Sequence, residues 1–189
     1  MKNIALFASG SGSNAENIIK YFENHPEIRV DSVWSNKSSA FVLQRALNLG
    51  VESHYFTRHE FIETDKLLNE LQKRKIELIV LAGFLWLVPP EFVKVFPIIN
   101  IHPALLPAYG GKGMYGSFVH EAVLQNKEEE SGITIHMIDK EYDKGANLLQ
   151  ARCPVFPDDS VDTLAARIHE LEYEYFPKAI EDYLCPKTK

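Results

Sequence analysis

Asn100 and His102 stand two residues apart in "IINIHPALLPAYGG", at the end of an apolar run and just before Pro103. In a strand, residues i and i+2 project to one face, so an amide and an imidazole would share it. An Asn amide can donate to an oxyanion forming on a carbonyl, and a His moves protons near neutral pH. The pair therefore suits attack on a carbonyl carbon by a nucleophile that sheds a proton. The same spacing also fits two hydrogen-bonded residues closing a strand with no chemistry between them.

Two other stretches carry chemistry. "ASGSGSN" at 8–14 joins an apolar run to an amphipathic one. Small residues let backbone approach a ligand, Gly10 and Gly12 tolerate positive φ, and the unpaired N–H groups of a following helix attract an anion without Lys or Arg. No Gly-Lys-Ser/Thr ends the loop, so it is not a P-loop. As a dinucleotide fingerprint it places Ala15 at the third glycine, and Asp31 begins the next strand instead of ending it. A serine-capped strand–helix turn with no ligand is the alternative. "GITIHMIDKEYDKGANLLQ" at 132–150 begins as a strand, with Ile133, Ile135 and Met137 on one face and Thr134, His136 and Ile138 on the other. A turn dense in acids follows, with Asp139, Glu141 and Asp143. A carboxylate beside His102 would raise its pKa and orient the ring, although such a turn also fits plain solvation. His102, His120 and His136 lack the H-E-x-x-H spacing, and "HEAVL" places His120 on a helix surface, so no metal site is expected.

The elements that must position these groups follow from hydrophobic pattern. Strands are predicted at 3–8, 28–35, 51–56, 76–82, 98–102, 131–138 and 148–155, and helices at 14–24, 39–49, 60–75, 90–95, 115–126 and 161–184. The alternation predicts an α/β, Rossmann-like fold with a mostly parallel seven-stranded sheet and helices on both faces. "IELIVLAGF" reads as a central strand buried on both sides. Leu164, Ile168, Leu171, Tyr175 and Ala179 form the stripe by which the last helix should pack on the sheet. Asn100 and His102 then sit at the carboxyl end of the fifth strand, where open α/β sheets bind ligands.

The 189 residues suit one domain. Net charge is −6, from 20 basic and 26 acidic residues with no basic tract, which disfavours nucleic acid and anionic membrane partners. The apolar run near the start is too short for a secretory signal or a membrane span. Cys153 and Cys185 are expected as free thiols in the cytoplasm. An edge strand or helix could pair two copies into a homodimer.

Taken together, these stretches resemble the formyltransferases that use 10-formyltetrahydrofolate, over nearly the whole chain. "ALFASGSGSN", "VLAGFLWLVPPEFV", "NIHPALLP", "HMIDKEYDKGANLLQ" and "ELEYEYFP" carry the resemblance. It implies a single formyltransferase domain over 1–189, with the ribonucleotide side in its N-terminal half and the folate and catalytic loops in its C-terminal half. It implies formyl transfer to the amine of glycinamide ribonucleotide in purine synthesis, with the folate as cosubstrate and no tightly bound cofactor. By position, Gly12, Ser13 and Asn14 would hold the phosphate, Asn100, His102 and Asp143 would form the catalytic trio, and Glu172 would bind the glycinamide part. Arg58, Leu85, Trp86, Leu87 and Val88 would meet the folate, with Ile138, Asp139, Lys140, Glu141 and Tyr142. Trp86 stands where the family often has Arg, Lys144 replaces a common Gly, and Ala146-Asn147 falls where Gly-Pro-Ile is frequent. A related transferase acting on another amine (methionyl-tRNA, a sugar nucleotide) is the neighbouring alternative. The tRNA enzyme's extra basic barrel and the formyltetrahydrofolate deformylase's extra N-terminal domain find no counterpart in the sequence. A non-catalytic nucleotide sensor would explain the glycine loop but not the joint presence of Asn100, His102 and Asp143.

Overall fold

The computed structural model describes residues 1–138 and 145–186. In chain order the elements are β1 (Lys2–Phe7), α1 (Ser13–Phe22), β2 (Ile28–Ser35), α2 (Phe41–Asn48), β3 (Glu52–Tyr55), α3 (Arg58–Ile62), α4 (Lys66–Lys73), β4 (Ile76–Leu81), α5 (Pro90–Val95), β5 (Ile98–His102), α6 (Ser117–Gln125), β6 (Glu130–Met137), β7 (Asn147–Pro154) and α7 (Val161–Leu184). The seven strands form one sheet in the order β3-β2-β1-β4-β5-β6-β7. Neighbours from β3 through β5 run parallel, whereas β5–β6 and β6–β7 are antiparallel. Strand order reverses between β1 and β4, and the crevice at their carboxyl ends is the switch point where such sheets bind ligands.

Period-2 alternation sorts the strands' apolar residues into two layers. Ile4, Leu6, Val33, Val80, Ile99 and Ile135 face α1, α2, α6 and α7. Ala5, Phe7, Ile79, Leu81 and Ile98 face α3, α4 and α5, whose Phe61, Leu71 and Phe92 close the second layer. All seven predicted strands are present, but the predicted helix over 60–75 is two helices. Thr57 opens α3 with a capping box to Glu60. Thr64 then breaks the run: its hydroxyl lies 3.3 Å from the Glu60 carbonyl and 3.3 Å from the Lys66 N–H, competing with helix bonds before α4 restarts.

The buried stripe of α7 also differs from the predicted one. It is Leu164, Ile168, Glu172, Phe176, Ile180 and Leu184, spaced by four, with Ala179 beside it and Leu171 and Tyr175 only partly buried. A carboxylate thus sits in the middle of an apolar row. Pro177 lies inside this helix and has no N–H to give the Tyr173 carbonyl four residues back. Asn17 Nδ2 donates to that carbonyl at 2.9 Å, fastening α1 to α7. Among the described residues no helix is long and apolar enough to cross a membrane.

Candidate active site

The loops leaving β1 and β4 are stitched together at the switch point. Ala82 N–H donates to the Phe7 carbonyl at 2.8 Å, Ser9 N–H to that of Gly83 at 3.0 Å, and Leu85 N–H to Ser9 Oγ at 3.0 Å. This fixes the loop that opens α1. Gly12 is the N-cap, at φ 78°, and no side chain caps the helix end. The first helical bond runs from Glu16 N–H to the Gly12 carbonyl at 2.9 Å, so the N–H groups ahead of it have no intrahelical partner. They and the helix dipole leave a built anion cradle.

Behind the cradle, Asn14 Nδ2 donates to Glu172 Oε2 at 2.8 Å. His169 Nδ1 bonds the same oxygen at 2.8 Å, one helical turn before Glu172 on α7. The carboxylate is buried, and this bond holds the His169 imidazole above its usual pKa. The charge buried in the α7 stripe is therefore paired and hydrogen-bonded, as a buried charge must be.

The second wall comes from β5 and β6. Their antiparallel register pairs Asn100 with His136 and His102 with Thr134, so four polar side chains share one face. His136 is fully buried, and its Nδ1 lies 3.0 Å from the Met137 carbonyl. A carbonyl only accepts, so Nδ1 carries the proton and Nε2 offers a lone pair. Asn100 Nδ2 donates to that lone pair at 3.1 Å. The pairing fixes which end of the amide is NH2 and leaves its second N–H to donate elsewhere. His102 is buried, and its Nε2 donates to the Tyr109 carbonyl at 2.7 Å. Thr134 Oγ1 accepts from Leu106 N–H at 2.9 Å and donates to the Ala104 carbonyl at 2.7 Å, and Gln150 Nε2 donates to the same hydroxyl at 2.9 Å. These bonds hold the loop after β5, and with it the Tyr109 carbonyl that orients His102.

Cradle and second wall face one cleft of about 660 Å³, which Gly12, Ser13, Asn14, Leu85, Asn100, His102 and Glu172 all line. Trp86, Leu87, Val88, Arg58 and Ile138 are not part of this lining. Val88 is buried in the second layer and Leu87 is exposed. Trp86 packs against the rings of Phe56, Phe61 and Phe84, at 6.2, 6.1 and 6.3 Å, and the Arg58 guanidinium lies 5.8 Å over its ring. Trp86 is thus anchored in the aromatic layer. Ile138 is partly buried against that layer, and its N–H donates to the Ile98 carbonyl at 2.9 Å. Asp139, Lys140, Glu141, Tyr142 and Asp143 lie outside the described residues. Among the described residues no group of three or more His, Cys, Asp or Glu side chains could hold a metal ion.

Three histidines that sequence reasoning did not assign to the site belong to its surroundings. His136 orients Asn100, and His169 pairs with Glu172 at the i,i+3 spacing that a helix brings together. His120 was expected on a helix surface. Instead it is 4% exposed and lines the cleft. The signal was available: His120 follows buried Val119 by one position and precedes buried Val123 by three, which places it on the buried side of α6.

Residues 2–180 match the formyl transferase family, and the chain belongs to it. Its relatives include the phosphoribosylglycinamide formyltransferase of Haemophilus influenzae, 36% identical over 188 residues that cover 96% of this chain and 86% of the relative. The enzyme of that name from Escherichia coli is 36% identical, covering 99% of this chain and 89% of the relative. Among solved structures, the phosphoribosylglycinamide formyltransferase of Streptococcus pneumoniae is 37% identical with a TM-score of 0.85, covering 97% of this chain and 99% of that one. The Anaplasma phagocytophilum enzyme is 29% identical with a TM-score of 0.89, covering 100% and 89%.

Proposed function

We propose that this chain transfers the formyl group of 10-formyltetrahydrofolate to the amine of glycinamide ribonucleotide, giving formylglycinamide ribonucleotide and tetrahydrofolate in purine synthesis. The observation that carries this is the single cleft joining an uncapped helix N-terminus to Asn100 and His102. Phosphate on the N–H groups of Gly12, Ser13 and Asn14 anchors the ribonucleotide away from the reacting atoms, and that binding energy orients the amine. Glu172 takes hydrogen-bond donors of the glycinamide part.

The amine nitrogen bonds to the formyl carbon, and the carbonyl electrons move onto oxygen. The free N–H of Asn100 donates to that oxyanion, with its direction preset by His136. His102 stabilises the anion and passes the amine's proton toward N10, whose bond to carbon then breaks. Asp143 holds the imidazole in its working state. Leu85 supports the folate from the cleft, and Arg58, Trp86, Leu87, Val88, Ile138 and the 139–142 segment lie on the folate side. Both substrates are small molecules and no tightly bound cofactor is needed. The free thiols of Cys153 and Cys185 support a reducing compartment such as the cytoplasm.

Steady-state assay of the wild type and Asn100→Ala with both substrates tests this. Loss of an oxyanion donor costs about 3 kcal/mol of transition-state stabilisation, so kcat should fall a hundredfold or more with KM little changed. Near-normal turnover by the variant refutes the oxyanion role. A ribonucleotide analogue without its phosphate should lose most of kcat/KM, and equal values would refute the cradle.

A further inference from the structure

Among the described residues, His120 is the buried polar side chain in the cleft wall that the proposed mechanism leaves unused. It sits on α6, 4% exposed, and lines the cleft with Glu172, His169 and His102. Its Nδ1 is shut off from solvent and has no hydrogen-bond partner. Glu172, His169 and His102 are the groups whose charge reaches it, and burial pushes its pKa down, so the ring is neutral at neutral pH. No hydrogen bond from the described residues holds this ring, and its other nitrogen, Nε2, is the one a group in the cleft can reach.

The tautomer follows from the geometry. A buried N–H without an acceptor is worse tolerated than an idle lone pair, so the proton resides on Nε2, the nitrogen that is not sealed in. His120 therefore offers the cleft a single uncharged donor. Glu172, in the same lining, offers an acceptor. The two divide the substrate's middle between them: Glu172 suits groups that donate, and His120 suits a group that only accepts. Between the phosphate and the amine of glycinamide ribonucleotide, the acceptor-only groups are the ribose ring oxygen and the amide carbonyl, and of these the carbonyl is the stronger acceptor and the one next to the carbon that carries the amine.

We propose that His120 is a positioning residue whose Nε2–H donates to the amide carbonyl oxygen of the ribonucleotide, fixing the attacking amine one carbon away. This rests on the activity proposed above. The test compares His120→Leu, which fills the space without a donor, with His120→Gln, whose amide restores one. Steady-state constants for both substrates, calorimetric binding of the ribonucleotide and the thermal midpoint are measured on each. His120→Leu should weaken ribonucleotide binding and kcat/KM at least tenfold, leave the folate KM within twofold, and keep Tm at or above the wild-type value, because no protein hydrogen bond is lost. His120→Gln should recover most of the binding. An unchanged ribonucleotide constant in His120→Leu, or equal losses for both substrates together with a lower Tm, overturns the inference while the wild-type activity stands. A wild type that neither binds nor formylates the ribonucleotide overturns the activity and this inference together.

Discussion

Gly12→Ala is the sharpest probe of the cradle. At φ +78° an alanine occupies the left-handed region, which costs an L-residue roughly 1–2 kcal/mol. Space is the second cost. A Cβ at Gly12 would lie 2.3 Å from Val42 Cγ2, 2.4 Å from Val42 Cβ and 2.8 Å from Val42 Cα. Rotating the valine moves only Cγ2, so relief requires the loop and α2 to separate by about 1 Å, from contacts near 2.4 Å toward the ordinary carbon–carbon distance. The Val42 N–H donates to the Gly10 carbonyl at 3.2 Å, and that bond resists the separation. Overpacking of this kind costs about 1–3 kcal/mol. Together the two costs come to about 2–5 kcal/mol, divided between lost stability and a distorted cradle.

Urea denaturation reads the first share, and ribonucleotide KM with kcat reads the second. The expected outcome is a lower midpoint, a ribonucleotide KM raised at least tenfold, and a folate KM near that of the wild type. Gly10→Ala is the control, because a Cβ there meets nothing within 4 Å and its φ is not in the left-handed region. It should cost under about 1 kcal/mol, the size of an ordinary glycine–alanine exchange. Equal effects of the two substitutions in both assays would refute the reasoning, since backbone sign and the Val42 contact would then decide nothing.

Other outcomes follow from single contacts. Thr134→Val leaves Leu106 N–H and the Ala104 carbonyl without the shared hydroxyl; chemical denaturation should show a loss of about 2–4 kcal/mol, from two buried groups left unpaired, and unchanged stability would remove Thr134 as the loop's anchor. A double-mutant cycle of Asn17→Ala and Pro177→Ala should give a coupling of about 0.5–1 kcal/mol, because alanine in place of the proline supplies the N–H that the Tyr173 carbonyl lacks; strict additivity would break the link between the proline and Asn17. The raised pKa of His169 means that its bond with Glu172 stabilises the fold fully below about pH 6.5, and that this share is lost as pH rises through the higher folded value. NMR titration should find the His169 pKa above the ordinary range in the wild type and near it in Glu172→Gln; equal values would refute the pairing.

The strand set was legible because burial on both sheet faces writes near-continuous apolar runs, as in β4, and because loops and amphipathic helices separate those runs. The split between α3 and α4 was not, since it depends on one threonine hydroxyl competing with the helix ladder. The α7 stripe was misplaced for a related reason: period alone favours Leu171 and Tyr175, and only a partner from another element lets Glu172 be buried. Asn100 and His102 were readable as a same-face pair. Their cross-strand partners were not, because a register such as Asn100 with His136 is set by how β6 returns along β5. His120 was misread because a polar residue in a helix was assigned to the surface by type, although its flanking valines mark the buried side.

Polar satisfaction separates what builds this site from what the site awaits. His136 is closed by Met137 and Asn100, Thr134 by the loop it holds, and Oε2 of Glu172 by Asn14 and His169. Each closed group makes its neighbour's direction definite: the Asn100 amide is aimed by an imidazole whose own tautomer is fixed by backbone. Among the described residues, Asn14 Oδ1 and His120 Nδ1 are left without partners in the cleft wall, both buried. A protein gains no stability by leaving such atoms bare; in His120 the sealed Nδ1 goes unpaired while Nε2 is left to the cleft, so stability is yielded there for recognition. On that reasoning, apolar replacement of His120, which closes no other group, should stabilise the fold and weaken substrate binding, whereas replacement of a closed group, or of Asn14 whose amide closes Glu172, should do harm to both.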